Sequence, residues 1–231
     1  MLELTEDQKK LLASSTQQEP IVEQRTQEWF DQRKGKLTSS EIHKILGKGR
    51  NKEEIFGDTA KSYLMSKVSE QLGGFVPPLS NNALDWGTEY EPAAVGFYEK
   101  KYNVEVVDAP FVSYNEFYGG SADGFVGDDG LIEVKCPYVS SNHFSYLLIK
   151  SKEDFLRIKS EYFWQCVSNM VVCQKSYIDF ITFDARVQPE YIMGTYRLER
   201  KDCEEEIKFL LERVELAGQY MEELKERLNN R

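Results

Sequence analysis

Apolar residues recur three or four positions apart over long stretches of this 231-residue chain, and shorter β-branched or alternating runs lie between them. The clearest helical stripe is Ile207, Leu210, Leu211, Val214, Ala217, Met221, Leu224 and Leu228, which predicts a long amphipathic helix over 201–228. A second, with Trp86, Tyr90, Ala94, Phe97 and Tyr98, runs from Ala83 to Tyr102, and Pro92 inside it predicts a kink or a fresh turn. Thr26 can cap a short helix carrying Trp29 and Phe30, which Gly35 ends. Thr38 or Ser39 can cap another ahead of Ile42, Ile45 and Leu46, and a third is expected from about Thr59 to Gln71. Strand signals fall at 104–107, 111–114, 118–126 and 131–135. A helical stretch then reaches Cys173, and strands follow near 177–184 and 191–198.

Helices, a strand cluster, then helix, strands and helix predict an α/β (α+β) fold with a central mixed β-sheet flanked by helices, a helical N-terminal part and a long C-terminal helix. Residues 1–24 read as a loose N-terminal arm, and residues 25–231 as one domain whose core spans about 83–198. A hydrophobic share of 41%, with 13% aromatic, supplies a sizeable core and excludes collagen-like and low-complexity classes. The chain has neither a continuous apolar run long enough for a membrane span nor the basic, then apolar, start of a signal peptide, so a cytoplasmic protein is expected. Cys136, Cys166, Cys173 and Cys203 form no Cys-x-x-Cys pair, and His43 and His143 are far apart. Zinc, iron–sulfur and histidine-dependent nucleophilic mechanisms are therefore disfavoured, and neither histidine is given a role.

The chemistry concentrates in Gly119-Gly120-Ser121-Ala122-Asp123-Gly124, the Gly/Asp-rich turn at 127–130, and Leu131-Ile132-Glu133-Val134-Lys135. Two apolar runs around such a turn predict a β-hairpin. Ile132 and Val134 then share one face of the second strand, with Glu133 and Lys135 on the other. A three-residue loop of 127–129 would set Asp123 directly opposite Glu133. Two carboxylates can hold Mg²⁺ or Mn²⁺ with positions left for water and phosphate, and a nearby lysine can orient that water. A solvent-facing Glu/Lys pair on a half-exposed hairpin is the plain alternative.

Asp123-x9-Glu133-Val134-Lys135 resembles the D…ExK core of the PD-(D/E)xK nuclease superfamily. Further blocks resemble its phage lambda exonuclease branch, the YqaJ-type viral recombinases or alkaline exonucleases. They are Trp29-x3-Arg33-x-Gly35-x-Leu37-Thr38-Ser39-Ser40-Glu41, Trp86-Gly87-Thr88-Glu89-Tyr90-Glu91, Ser121-Ala122-Asp123-Gly124, Glu133-Val134-Lys135-Cys136-Pro137 and Tyr162-x2-Gln165. The resemblance implies a restriction-endonuclease-like core and a Mg²⁺-dependent 5′→3′ exonuclease that digests one strand of linear double-stranded DNA, leaving a 3′ overhang. It also implies two metal ions per site, a homotrimer, a single-strand annealing partner, and a phage or prophage origin in a bacterial cell.

Residue by residue, the resemblance makes Asp123, Glu133 and the Val134 carbonyl metal ligands and Lys135 the aid to the attacking water. Glu91, with Glu89 as its rival, would serve the second metal, and Gln165 would contact the site. Arg33, Ser40 and Ser121 would form a 5′-phosphate pocket; a guanidinium suits bidentate phosphate contacts, and Ser40 is expected in the first turn of a helix, where anions are favoured. Trp29, Phe30, Trp86 and Tyr90 are expected in the core. Two alternatives stay open: a structure-specific or restriction-type endonuclease on the same core, and a non-catalytic protein that binds DNA ends.

The net charge of −10 argues against a nucleic-acid partner only if charge is spread evenly. It is not. Residues 33–52 hold Arg33, Lys34, Lys36, Lys44, Lys48, Arg50 and Lys52 against the single acid Glu41, which predicts a basic, DNA-facing strip on an acidic body.

Overall fold

The computed structural model describes residues 22, 24–47, 49, 54–77 and 82–230. The expected arm at 1–24 lies almost wholly outside the described residues, as do Lys48, Arg50 and Lys52 of the basic strip.

In chain order the elements are α1 (Gln27–Arg33), β1 (Leu37–Thr38), a 3₁₀ segment (Ser39–Ile45), α2 (Asp58–Gln71), α3 (Asn82–Tyr102), β2 (Val106–Val107), β3 (Val112–Ser113), β4 (Tyr118–Gly120), β5 (Gly124–Val126), β6 (Gly130–Lys135), α4 (Ser140–Leu147), α5 (Lys152–Val172), β7 (Tyr177–Phe183), β8 (Met193–Glu199) and α6 (Glu204–Asn229). The strands make two mixed sheets rather than one. The larger has the order β2-β5-β6-β7-β8, and the smaller β1-β4-β3. The stretch expected as one strand over 118–126 is divided between them, because the chain leaves the small sheet after Gly120 and enters the large one at Gly124.

β6 and β7 run parallel, with Glu133 beside Phe180, and α4 and α5 form the crossover between them. Helices cover both faces of the large sheet. Ile132, Val134, Ile181 and Phe183 pack on Ala94 and Tyr98 of α3. Leu131, Ile178 and Phe180 join the main core with Phe155, Phe163, Val167 and Met170 of α5 and with the inner face of α6. The alternation in β6 thus sends Ile132 and Val134 to α3 and turns Glu133 toward α5.

Three local expectations change. Thr26 does cap α1, accepting from Trp29 N, and Gly35 closes it at φ +72°. The segment after Thr38, however, is a seven-residue 3₁₀ helix without a side-chain cap; the Ser39 hydroxyl instead accepts from Ser168 Oγ of α5 at 2.8 Å. Pro92 sits inside α3 without dividing it. Trp29 is buried and Trp86 and Tyr90 are partly so, whereas Phe30 is 53% exposed and not a core residue.

α6 fixes the N-terminal segment from behind. Buried Arg213 donates to the carbonyls of Ile45 (2.8 and 2.6 Å), Ile55 (2.9 Å) and Gly47 (3.1 Å), and lies over the Phe56 ring. Buried His143 has a structural role: its ring nitrogens contact Thr182 Oγ1 and the Tyr191 carbonyl at 2.8 and 2.7 Å, which docks α4 on the sheet.

Candidate active site

The hairpin has the expected three-residue loop. β5 ends at Val126, β6 begins at Gly130, and Gly127 takes φ +56°, a left-handed conformation that favours glycine. The ladder pairs Gly124↔Ile132, Phe125↔Leu131 and Val126↔Gly130 and stops there; Asp123, just before β5, donates its N–H to Ile132 O at 3.1 Å, beside Glu133 in the chain. Beyond this point the Asp123 side chain replaces a main-chain acceptor, with Oδ2 taking the Val134 N–H at 2.6 Å.

Glu133 is fully buried and accepts hydrogen bonds from three side chains. Oε1 accepts from Lys135 Nζ at 2.5 Å and from Gln165 Nε2 at 2.6 Å, while Oε2 accepts from Asn169 Nδ2 at 3.0 Å. Burial, and then repulsion from Asp123, push its carboxyl up to about 8. Burial also raises Asp123, although Lys135 and the Val134 N–H oppose the shift. Burial disfavours the charged form of Lys135, but Glu133 and Asp123 outweigh it and hold the ammonium protonated. That ammonium also lies 4.8 Å from the centre of the Tyr162 ring.

Glu91 joins from α3. Burial, followed by Asp123, raises its carboxyl, and Arg25 Nη2 holds its Oε2 at 2.6 Å. Glu89 lies on an exposed part of the helix, so Glu91 is the member of the pair that meets the other carboxylates.

α3 is joined to the loop after β6 by a layered contact. The Arg186 guanidinium sits 4.1 Å over Trp86, which stacks on Tyr90 at 4.0 Å, next to Glu91. Arg186 also donates to the carbonyls of Pro137 and Tyr138, each at 3.1 Å, and to buried Asp184. Asp184 additionally accepts from Ser140 Oγ at 2.7 Å. The loop leaving Lys135 is thus fastened to both β7 and α3.

The three residues expected to bind a terminal phosphate lie on neighbouring segments. β1 and β4 pair in parallel, Thr38 beside Gly119, so Ser40 and Ser121 leave adjacent strands at the same end. Gly120 permits this approach: a Cβ there would fall 2.1 Å from Ser39 Oγ and 2.8 Å from Asn169 Oδ1. Trp29 Nε1 donates to Ser121 Oγ at 3.4 Å, and the Arg33 guanidinium stacks 4.0 Å over the Trp29 ring. Ser40 is exposed and contacts Thr38 Oγ1 at 3.3 Å. Because its helix is a short 3₁₀ segment, an anion would meet the Ser40 hydroxyl and not an α-helix N-terminus.

Of the basic strip, Lys36 donates to Ser113 Oγ at 2.6 Å and Lys44 pairs with Glu41, whereas Lys34 is exposed.

Asn169 and Arg25 were not singled out in the sequence. Asn169 follows Gln165 by four residues on α5, and that spacing was its one available signal. Asn169 Oδ1 is buried and accepts no hydrogen bond among the described residues.

Among the described residues, no three acidic, histidine or cysteine side chains stand close enough together to grip an ion as they are. Lys135, Gln165 and Asn169 hold Glu133, and Arg25 holds Glu91. The donor chemistry nevertheless fits a hard divalent cation, because buried, mutually repelling carboxylates offer the oxygen ligands that Mg²⁺ and Mn²⁺ prefer.

The fold is that of the alkaline exonucleases. The alkaline exonuclease LHK-Exo from Laribacter hongkongensis superposes with a TM-score of 0.71 at 26% identity, over 89% of this chain and 99% of its own. Its complex with dAMP gives 0.72 at 27% identity with the same coverage. A phage-related exonuclease from Haemophilus somnus 129PT shares the fold at a TM-score of 0.68 and 22% identity, over 84% and 96% of the two chains. The chain belongs to the YqaJ-like viral recombinase domain family, whose model matches residues 28–176. No curated protein matches the chain in sequence. Among the described residues, no helix is long and apolar enough to cross a membrane.

Proposed function

We propose that this protein is a Mg²⁺-dependent exonuclease that digests one strand of linear duplex DNA in the 5′→3′ direction. The observation that carries this reading is that Asp123 and Glu133 of the hairpin and Glu91 of α3 lie within electrostatic reach of one another and of Lys135. Family membership and the likeness to an alkaline exonuclease crystallised with dAMP support the nuclease class.

Asp123, Glu133 and the Val134 carbonyl would hold a first divalent ion, and Glu91 would help to hold a second; Mn²⁺ would substitute. Such ions polarise the phosphodiester and lower the pKa of bound water. Lys135, kept protonated by its acidic neighbours, would orient the attacking water and offset charge developing on the phosphate. Gln165 would keep Glu133 turned toward the cleft. Arg33, Ser40 and Ser121 would receive the terminal 5′-phosphate, Arg33 being presented on the Trp29 face. Lys34 and Lys36 would lend positive potential to the approach.

Residues 25–231 would act as one exonuclease domain. A homotrimer, a single-strand annealing partner and cytoplasmic action in a bacterial cell are proposed from the family resemblance alone. The phosphate pocket favours the exonuclease over an endonuclease, since only an end-dependent enzyme needs to hold a terminal phosphate. The test is digestion of linear against covalently closed circular duplex in Mg²⁺, with EDTA as control. Loss of linear DNA alone is expected; cutting of closed circles would establish the endonuclease instead.

A further inference from the structure

Arg25 has no role in the motif reading, yet the backbone is held in an unusual shape to place it. It has φ +68°, one of three positive-φ residues other than glycine among the described residues. The left-handed region is unfavourable for a side chain such as arginine and persists only where the surroundings fix it. Gln24 does so: its Nε2 donates to the carbonyls of Ala109 and Ala122, both at 2.8 Å, which pins the turn beside Asp123. On the other side Thr26 caps α1. The turn delivers the guanidinium to Glu91 at 2.6 Å, with 45% of the Arg25 side chain exposed.

We propose that Arg25 is a substrate-contacting residue: it holds Glu91 while no metal is bound, yields that carboxylate to an incoming divalent cation, and then pairs with the phosphodiester of the bound strand. The inference rests on the nuclease reading above.

The first half follows from charge. Asp123, Glu133 and Glu91 face Lys135 and Arg25, so a cation approaching Glu91 meets an oxygen already occupied by a guanidinium. Two cations at one carboxylate oxygen repel each other, so binding of one expels the other. The second half follows from position. Gln24, just before Arg25, is tied to Ala122, and Trp29, one turn into α1, is tied to Ser121. Arg25 therefore lies between the proposed terminal-phosphate pocket and the metal-binding carboxylates. A strand with its end in that pocket would carry its next phosphate past the released guanidinium, whose fork of donors matches phosphate oxygens.

Arg25→Gln keeps the Cβ and most of the length but removes the charge, Arg25→Gly also relaxes the backbone, and Arg25→Lys keeps the charge. Calorimetric titration with Mn²⁺ in the absence of DNA should show about tenfold tighter binding for the Gln and Gly variants, from removal of one neighbouring charge. The Lys variant should stay near wild type. At saturating Mg²⁺, both neutral variants should lose about tenfold or more in kcat/KM on 5′-phosphorylated linear duplex. Unchanged Mn²⁺ affinity in Arg25→Gln, or a gain confined to Arg25→Gly, would overturn the displacement. Undiminished digestion by Arg25→Gln would overturn the phosphate contact. Failure of the wild-type protein to digest duplex would strike the nuclease reading instead, and the Mn²⁺ titration would still decide the displacement.

Discussion

Gln165 donates from α5 to Oε1 of Glu133 at 2.6 Å, so the helix crossing behind β6 sets the orientation of the central carboxylate. Asn169, one turn later, holds the other oxygen at 3.0 Å. Burial and Asp123 raise this carboxyl, and Lys135 opposes them. Gln165→Ala and Asn169→Ala should each lower kcat by about tenfold to a hundredfold with little change in KM if Glu133 is a metal ligand as proposed, because both side chains orient its carboxyl. Each should also cost about 1–3 kcal/mol of stability, from a lost hydrogen bond to a buried carboxyl. Steady-state kinetics and urea denaturation check the two effects separately.

Gly120 lies where Ser39, Asn169 and the strand leading to Ser121 crowd together. A methyl group there would meet Ser39 Oγ at 2.1 Å, far inside contact distance. Gly120→Ala should destabilise the protein by about 1–3 kcal/mol through overpacking. It should also weaken digestion, since Asn169 is one of the groups that must move. Urea midpoints compared with those of Gly127→Ala, whose added Cβ has open space but whose φ is positive, separate crowding from backbone strain.

Asp184 gives the acid dependence a sign. Burial alone would raise its carboxyl, but Arg186 and Ser140 outweigh it and hold it below the usual carboxylate range. The unfolded chain therefore binds the proton more readily. The stabilisation is present above the ordinary aspartate pKa near 4 and is lost as pH falls below it. Asp184→Asn should remove about 1–3 kcal/mol at neutral pH and flatten the acid limb of thermal stability. Melting curves from pH 3 to 7 check this.

For the phosphate pocket, Arg33→Ala should abolish the preference for phosphorylated over hydroxyl 5′ ends. Arg33→Lys should restore it only in part, because an ammonium keeps the charge but loses the planar stack on Trp29 and the bidentate fork. Initial rates on the two kinds of end measure the preference.

Strand alternation made much of this site legible. The period-two pattern at 131–135 and the glycine-rich loop set the hairpin register, which ends at Gly124↔Ile132 and leaves Asp123 just beyond the ladder, close to Glu133. Helix faces were harder to read. Glu89 and Glu91 differ in the sequence by two positions, and only the packing of Ala94 and Tyr98 on the sheet decides which one turns inward. The division of 118–126 between two sheets is likewise tertiary, since each half reads as strand. Phe30 was expected in the core because aromatic residues on a short helix usually pack, but α1 buries only Trp29. Arg25 left no signal at all. Its partner lies 66 residues away, and its left-handed backbone depends on two carbonyls far along the chain.

Lys135 tests the central claim most directly, because it touches Glu133 at the centre of the candidate site. The measurement is the rate of nucleotide release by Lys135→Ala from 5′-phosphorylated linear duplex in saturating Mg²⁺, with thermal melting to confirm that the variant is folded. The account predicts a folded protein whose kcat is lower by a factor on the order of 10² or more. Undiminished release by the folded variant would contradict it.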